Sequence, residues 1–205
     1  SSGTPGVWSQ ILPATMTAPG IVLRSTIDRS TDLYYAGTTI GEVWAGPSGT
    51  SWRKIFTPTS AAKVTDIEVD LDNPAIIYVS VEGSTGDRVY RLQRSSANPT
   101  LANTISQSIT ADLPTNITVQ TLAVDQETPF TIYAGTNRGI YRGRSLDCGA
   151  IWSWTAYNNG MPQATDVRDL EVHPGTGVMR AATYGRSAFE VNTDHPIGSI
   201  LVAAG

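Results

Sequence analysis

Two aspartates occupy matching places in a repeated pattern and could act as an acid–base pair. Asp66 and Asp169 each stand near the start of an alternating apolar run. Two carboxyl groups about 5–10 Å apart can protonate a leaving group and activate a water molecule. The competing interpretation is that a short acidic side chain at a strand entry only accepts hydrogen bonds from nearby groups. The sequence leaves both interpretations open.

A second set of candidate residues lies in short turns that contain glycine. The candidates are Asn137, Arg138, Tyr184 and Arg186. If these turns emerge on one face of the protein, their polar and aromatic side chains would form a binding surface. The alternative is that Tyr184 and Arg186 belong to an ordinary glycine turn, with Arg186 hydrogen-bonded to backbone carbonyls.

The residue types that hold metals or form covalent intermediates are sparse. Cys148 is the only cysteine, and the two histidines, His173 and His195, are separated in sequence. Because no histidine or second cysteine lies near Cys148, neither a zinc site nor a thiol nucleophile is indicated. The segment from Asp70 to Asn73 lacks the ligand spacing and late glutamate of a calcium loop. We therefore expect no metal and no cofactor.

Four related segments must position the candidate residues. Their anchors are Asp28, Asp70, Asp125 and His173, which recur every 42 to 55 residues. Each repeat predicts an alternating apolar strand, a turn rich in Asp, Asn, Pro and Gly, two further strands, and a more polar strand that ends before a proline. A period in this range, built from short strands, is typical of propellers. We predict an all-β fold, a β-propeller of four-stranded antiparallel blades with about four blades in this chain.

The repeats also set the expected boundaries. A propeller domain over residues 1–191 would contain blades at about 20–58, 64–114, 119–162 and 167–191, followed by a tail or the start of another domain at 192–205. The last repeat lacks an obvious fourth strand, whereas Val7–Pro13 resembles the fourth-strand segments. This segment could complete the last blade and close a four-bladed ring. The alternatives are a larger ring and the association of two copies through blade edges.

Composition excludes several classes of partner. Of 205 residues, 40% are hydrophobic and 16% are charged, and the net charge is −4. An acidic chain without a lysine or arginine cluster is a poor match for nucleic acid or an anionic membrane. No apolar run approaches the roughly 20 residues that a membrane-spanning helix needs. We expect neither nucleic-acid binding nor membrane insertion.

One turn carries a family resemblance. The segment Ser145–Trp152 matches the Asp-box pattern S-x-D-x-G-x-[TS]-W through Ser145, Asp147, Gly149 and Trp152, with Ile151 where threonine or serine is usual. The chain therefore resembles the BNR/Asp-box propellers, which include sialidases, xyloglucan-active hydrolases, sortilin-type receptors and photosystem assembly factors. The resemblance implies a structural box, in which Asp147 accepts backbone hydrogen bonds, Gly149 permits a positive φ and Trp152 packs between blades.

The same resemblance bears on catalysis. Xyloglucanase-like members carry a catalytic aspartate after the second strand of a blade. Asn137 stands at the matching position of this chain, and Thr39 and Tyr184 are its equivalents in the first and last repeats. An amide cannot exchange the proton that glycosidic cleavage requires. No sialidase-type N-terminal arginine motif accompanies the arginines of the chain.

These observations together predict a non-catalytic propeller module. We expect it to serve protein or glycan interaction through its loop face, or structural assembly. We also expect it to be a piece of a larger secreted bacterial protein, extracellular or periplasmic, with possible self-association through blade edges. The alternative is a xyloglucanase-like or sialidase-like glycoside hydrolase, or a fragment of one.

Overall fold

The chain folds into four antiparallel sheets that follow one another in sequence. The computed structural model describes residues 22–28, 31–47, 51–59 and 62–193. Within these residues, each sheet is built from consecutive strands in sequence order. We call the sheets blades 1 to 4. The segment Val7–Pro13, predicted to complete the last blade, and the tail beyond Thr193 lie outside the described residues.

Blades 1 to 3 have four strands each, and blade 4 has three among the described residues. The strands of blades 1 and 2 are β1 Val22–Asp28, β2 Leu33–Thr38, β3 Val43–Gly46, β4 Arg53–Phe56, β5 Val64–Val69, β6 Ile76–Val81, β7 Val89–Arg94 and β8 Thr104–Ser108. The strands of blades 3 and 4 are β9 Val119–Val124, β10 Thr131–Thr136, β11 Gly139–Arg144, β12 Ser153–Ala156, β13 Val167–His173, β14 Val178–Thr183 and β15 Ala188–Asn192. A 3-10 turn at Leu101–Asn103 precedes β8.

Two of the repeated anchors, Asp70 and Asp125, close the turns that join the first two strands of blades 2 and 3. Asp70 Oδ1 accepts hydrogen bonds from the backbone N–H groups of Asp72 and Asn73, at 3.1 and 3.0 Å. Asp125 accepts equivalent bonds from the backbone two and three residues further on. A short acidic side chain that captures the following N–H groups closes a hairpin turn, which explains why the anchors recur.

The blades pack side by side with their first strands adjacent. Strand β5 contacts β1 on one side and β9 on the other, and β9 in turn contacts β13. Buried apolar clusters fill the three spaces between neighbouring blades. Three tyrosines at equivalent places on the second strands, Tyr35, Tyr78 and Tyr133, are almost completely buried in these spaces. Each repeat therefore buries its apolar faces against its neighbours, as expected for an array.

Blade 4 differs because one of its faces is not covered by any other described strand. Met179 and Ala181 of β14 are buried, whereas Arg180 between them is exposed. Arg180 holds the place of the buried tyrosines, and its Nε lies 2.8 Å from Glu190 Oε2 in an exposed ion pair. A polar outer face is the usual feature of a terminal repeat. Among the described residues, no strand packs on this face.

Buried arginine side chains also join parts of the fold that are distant in sequence. Arg94 Nη2 of blade 2 lies 2.6 Å from Asp28 Oδ2 of blade 1, and both side chains are buried. Arg88 is buried and donates hydrogen bonds to the carbonyl oxygens of Leu113, Pro114 and Ile117 at 2.9 to 3.0 Å. Burial lowers the pKa of the Arg88 guanidinium. Arg88 therefore fixes the segment that follows β8.

Across the described part of the chain, the structure contains no helix with the length and apolar character needed to cross a membrane.

Candidate functional site

The turn after each second strand lies at the same end of its blade as the entry to the first strand. We call the surface formed by these turns and entries the loop face. In blades 2, 3 and 4, the first residue of the turn donates a backbone hydrogen bond to the residue that precedes the first strand. The three bonds run from Glu82 to Lys63 (2.8 Å), from Asn137 to Thr118 (3.2 Å) and from Tyr184 to Asp166 (2.8 Å).

Asn137 uses its side chain to reinforce this turn. Its Oδ1 accepts a hydrogen bond of 2.9 Å from the backbone N–H of Thr118, so two bonds join the same pair of residues. The side chain is half-buried. The Asn137 side chain therefore fixes the turn to the strand entry.

Blade 2 places a carboxylate at the equivalent position, which the sequence reasoning missed. Glu82 Oε1 lies 2.8 Å from Lys63 Nζ in an ion pair at the surface. The turn that begins at Glu82 is longer than its counterpart in blade 3, where β11 starts two residues after Asn137. Because the turns differ in length, the sequence alone does not align Glu82 with Asn137. The backbone hydrogen bond from Glu82 to Lys63 shows that the two residues are equivalent.

The loop face of blade 4 presents an aromatic ring next to a cation. Tyr184 is 74% exposed, and the Arg168 guanidinium lies 5.4 Å from the centre of its ring. Arg168 Nη2 also lies 2.5 Å from Asp166 Oδ2. An exposed ring held by a neighbouring guanidinium can stack on a sugar or on an aromatic or cationic protein side chain.

Arg138 and Arg186, the other two candidates, are both exposed on turns of the loop face. The backbone N–H of Arg138 donates to Thr136 Oγ1 at 3.0 Å, which holds the turn while leaving the guanidinium at the surface. Arg138 is on blade 3, and Tyr184 and Arg186 are on the adjacent blade 4. The structure therefore places the candidates on one face of two neighbouring blades.

The aspartate pair has a different environment at each position. Asp66 Oδ2 accepts hydrogen bonds from Thr121 Oγ1 at 2.9 Å and from the backbone N–H of Leu122 at 2.8 Å, both in blade 3. Asp169 is exposed on blade 4. The first strand of blade 3 lies between the strands that carry the two aspartates. This arrangement favours the hydrogen-bonding role for Asp66.

The residues that match the Asp-box pattern form the turn between β11 and β12, at the opposite end of blade 3 from the loop face. Asp147 Oδ1 accepts bonds from the backbone N–H of Ile151 at 2.7 Å and from Ser145 Oγ at 2.6 Å. The Ile151 N–H, followed by Ser145, lowers the pKa of the Asp147 carboxyl. Since Ile151 contributes its backbone and exposes its side chain, isoleucine can stand where threonine or serine is usual.

The other two box residues link this turn to the core. Gly149 has a φ of 95°, which favours glycine, and its N–H donates to Ser145 Oγ at 2.9 Å. Trp152 Nε1 donates to the Gly149 carbonyl at 3.0 Å. The buried Trp152 ring packs edge-on to Tyr78 of blade 2, with 6.0 Å between ring centres. The box therefore lies between two blades and away from the loop face.

The described residues contain no group of three His, Cys, Asp or Glu side chains close enough to hold a metal ion. Cys148 is exposed in the Asp-box turn with a φ of 60°. A groove of about 730 Å³ lies between blades 3 and 4, beside β15, and a smaller one of about 330 Å³ lies near the turn at His173.

No protein-family model matches the chain, and no curated protein is significantly similar to it in sequence. The chain is similar in structure to the β-propeller domain of Cps50 (Swd1) from Myceliophteria thermophila, with a TM-score of 0.63 and 15% identity over 89% of this chain and 57% of that one. It is also similar to YCF48 from Cyanidioschyzon merolae, with a TM-score of 0.61 and 11% identity over 82% of this chain and 49% of that one.

A third similar structure is the GH74 xyloglucanase from Xanthomonas campestris, with a TM-score of 0.58 and 12% identity over 83% of this chain and 28% of that one. The chain thus spans between about a quarter and three fifths of the length of these three structures. The likenesses confirm the predicted propeller fold, and the four blades correspond to part of each longer structure.

Proposed function

We propose that the chain is a non-catalytic β-propeller module that binds a protein or a glycan through its loop face. The observation that carries this proposal is the use of Asn137. Asn137 stands at the position of the family's catalytic acid. Its side-chain oxygen accepts a hydrogen bond of 2.9 Å from the backbone N–H of Thr118. An amide in this place stabilises a turn and transfers no proton.

The chemistry of the loop face supports a binding role. Tyr184 offers an exposed ring, while Arg138 and Arg186 add exposed guanidinium groups within adjacent blades. Aromatic stacking combined with arginine hydrogen bonds suits a glycan that bears a carboxylate, or an acidic segment of a protein. The backbone bonds at the base of each turn hold these side chains in a defined arrangement before a ligand arrives.

The Asp-box turn of blade 3 further supports membership of the BNR/Asp-box group. Ser145, Asp147, Gly149 and Trp152 make the backbone and inter-blade contacts that the resemblance implies. In line with that group, we infer an extracellular or periplasmic module of a larger secreted bacterial protein.

Glycoside hydrolysis is the second candidate, and Glu82 is the observation that favours it. Glu82 is a carboxylate at the turn position of the family's acid, and the fold is similar to that of a xyloglucanase. Lys63 lies 2.8 Å from Glu82. Most glycosidases use two carboxyl groups. Asp66 and Asp169, the aspartates at matching repeat positions, are the candidates for the second group.

The two functions are separated by assaying the full chain on xyloglucan, other polysaccharides and aryl glycosides, and by applying it in parallel to glycan and protein arrays. The binding proposal predicts specific retention without product formation. Product formation that disappears in Glu82→Gln or Asp66→Asn, with folding retained, would instead establish the hydrolase.

A further inference from the structure

One asparagine of the chain differs from the others in the residue that follows it. Asn159 is the only asparagine that precedes a glycine. Its side-chain amide carbon and the backbone nitrogen of Gly160 belong to the same short stretch of chain, and a reaction within one molecule gains greatly from this proximity. Glycine favours the ring closure because it has no Cβ to hinder the approach and the least restricted backbone. Asparagine is accordingly a thermolabile residue type.

The structure places this pair of residues at the surface. Asn159 and Gly160 are exposed in the centre of a turn that the Met161 N–H closes by donating to the Asn158 carbonyl at 2.9 Å. Gly160 has a φ of 86°, and a Cβ added to it would meet no atom within 4 Å. Within the described part of the chain, neither the Asn159 side chain nor the Gly160 N–H has a hydrogen-bond partner. The two reacting groups are therefore accessible to solvent.

Other asparagines of the chain are protected from the same reaction. The half-buried Asn158 uses its Oδ1 to accept a hydrogen bond of 2.6 Å from the Ile140 N–H. Asn137 Oδ1 likewise accepts a backbone hydrogen bond. Asn73 and Asn98 each precede a proline, which has no N–H to lose. Asn159 thus lies beside a matched asparagine that the fold holds in place.

We propose that Asn159 is a site of spontaneous modification, at which its amide converts to an acid. The Gly160 nitrogen gives its proton to a solvent base and attacks Asn159 Cγ, so that a new C–N bond forms. The bond from Cγ to the side-chain nitrogen breaks, and ammonia leaves with the proton, which produces a cyclic succinimide. Water then adds to either ring carbonyl. One opening gives aspartate, and the other gives isoaspartate, in which the backbone continues through the side-chain carbonyl.

The modified turn supports a turn of the loop face. The Tyr157 N–H donates to the Ile140 carbonyl at 2.8 Å, while Asn158 Oδ1 accepts from the Ile140 N–H. Asn158 also packs closely on Gly139, where an added Cβ would overlap its Oδ1. Gly139 and Ile140 directly follow Arg138, one of the candidate binding residues. The segment that ends at Asn158 therefore holds the turn that presents Arg138.

The two products should affect this support differently. Isoaspartate adds a methylene group to the backbone between Asn158 and Met161, which disrupts the 2.9 Å hydrogen bond that closes the turn. Asn158 then loses one of the backbone bonds that fix it, and its contact with Ile140 should weaken. Aspartate keeps the backbone length and should leave this contact intact. An effect on ligand binding rests on the proposed function, whereas the modification and the change at Ile140 do not.

The site is tested by incubating the full chain, folded or unfolded in urea, in mildly alkaline water enriched in heavy oxygen, followed by peptide mapping. In the folded chain, Asn159 should lose its amide and gain one heavy oxygen atom from water, while Asn158 and Asn137 stay amides. Asn159→Gln, which would have to close a larger ring, should remain intact. An Asn159 that persists in the folded chain would overturn the site, and so would equal conversion of Asn158 and Asn159.

Amide hydrogen exchange then tests the structural consequence. The Ile140 N–H should exchange about fivefold faster or more in the purified isoaspartate form, as expected for the loss of one hydrogen bond. Asn159→Asp should leave this exchange unchanged, and the Leu122 N–H, which is bonded to Asp66, should be unaffected in both. Unchanged exchange of Ile140 in the isoaspartate form would overturn the effect on the turn. Equal acceleration in Asn159→Asp would overturn the role of backbone length.

Discussion

The carboxylate of Asp66 in blade 2 accepts a hydrogen bond of 2.8 Å from the backbone N–H of Leu122 in blade 3. Thr121 donates to the same carboxylate oxygen at 2.9 Å, and the N–H of Ile67 donates to the other oxygen at 3.0 Å. Because two of these donors belong to blade 3, the Asp66 carboxylate joins two blades. Asp66 is therefore part of the scaffold.

Replacing Asp66 with alanine should destabilise the protein. The change leaves the Leu122 N–H without its acceptor between two packed blades, which costs about 1–3 kcal/mol. Urea denaturation would measure the free energy of unfolding. Asp169→Ala is the matched control, because Asp169 is the exposed residue at the equivalent position and should change stability by no more than about 0.5 kcal/mol. Equal losses in the two variants would contradict the inter-blade role.

The buried ion pair between blades 1 and 2 should be sensitive to the loss of either partner. Arg94→Leu leaves the Asp28 carboxylate buried without its cation, 2.6 Å away in the natural protein, which should cost about 3–5 kcal/mol. Lys63→Gln breaks the ion pair with Glu82 at the surface and should cost no more than about 1 kcal/mol. Thermal and urea unfolding of both variants would measure the difference, and similar costs would refute it.

Stability should fall in alkali because of two buried tyrosines. Burial raises the pKa of Tyr35 and of Tyr78 from 10.0 to about 12, although Arg94 and Arg91 oppose the shift. Between these pH values the unfolded chain has lost the phenolic protons and the folded chain retains them, so stability that is complete below pH 10 declines as the pH rises to 12. Each tyrosine should contribute a slope of up to about 1.4 kcal/mol per pH unit.

Urea denaturation of the natural chain and of Tyr35→Phe, from about pH 9 to about pH 12, would measure the free energy that Tyr35 contributes. This range includes the ordinary pKa of tyrosine, 10.0, and the raised pKa of Tyr35, about 12. The variant should lose part of the alkaline decline. Parallel stability curves for the two proteins would argue against the proposed linkage.

Local patterns in the sequence were sufficient to predict the strands and the turns. The alternation of Ile67 and Val69 marks the first strand of blade 2, and both side chains are buried. The anchors Asp70 and Asp125 make the turn hydrogen bonds that their residue type predicts. These features depend on residues within a few positions of each other, so the sequence displays them directly.

Contacts between blades were beyond prediction because their partners are distant in sequence. Asp66 and Leu122 are separated by 56 positions, and Asp28 and Arg94 by 66. A single sequence does not reveal which of many acids and bases meet across such distances. Glu82 was missed for a related reason, since the longer turn of blade 2 hides its match to Asn137.

The proposed function requires the loop face to bind a ligand without catalysing its hydrolysis. The most direct measurement compares the retention of the natural chain on glycan and protein arrays with that of an Arg138→Ala, Tyr184→Ala double variant. The control is Leu71→Ala, because Leu71 is exposed in the turn at the opposite end of blade 2 from the loop face. We predict specific glycan or protein retention by the natural chain and the control, and loss of retention in the double variant. Unchanged retention in the double variant would contradict a binding role for the loop face.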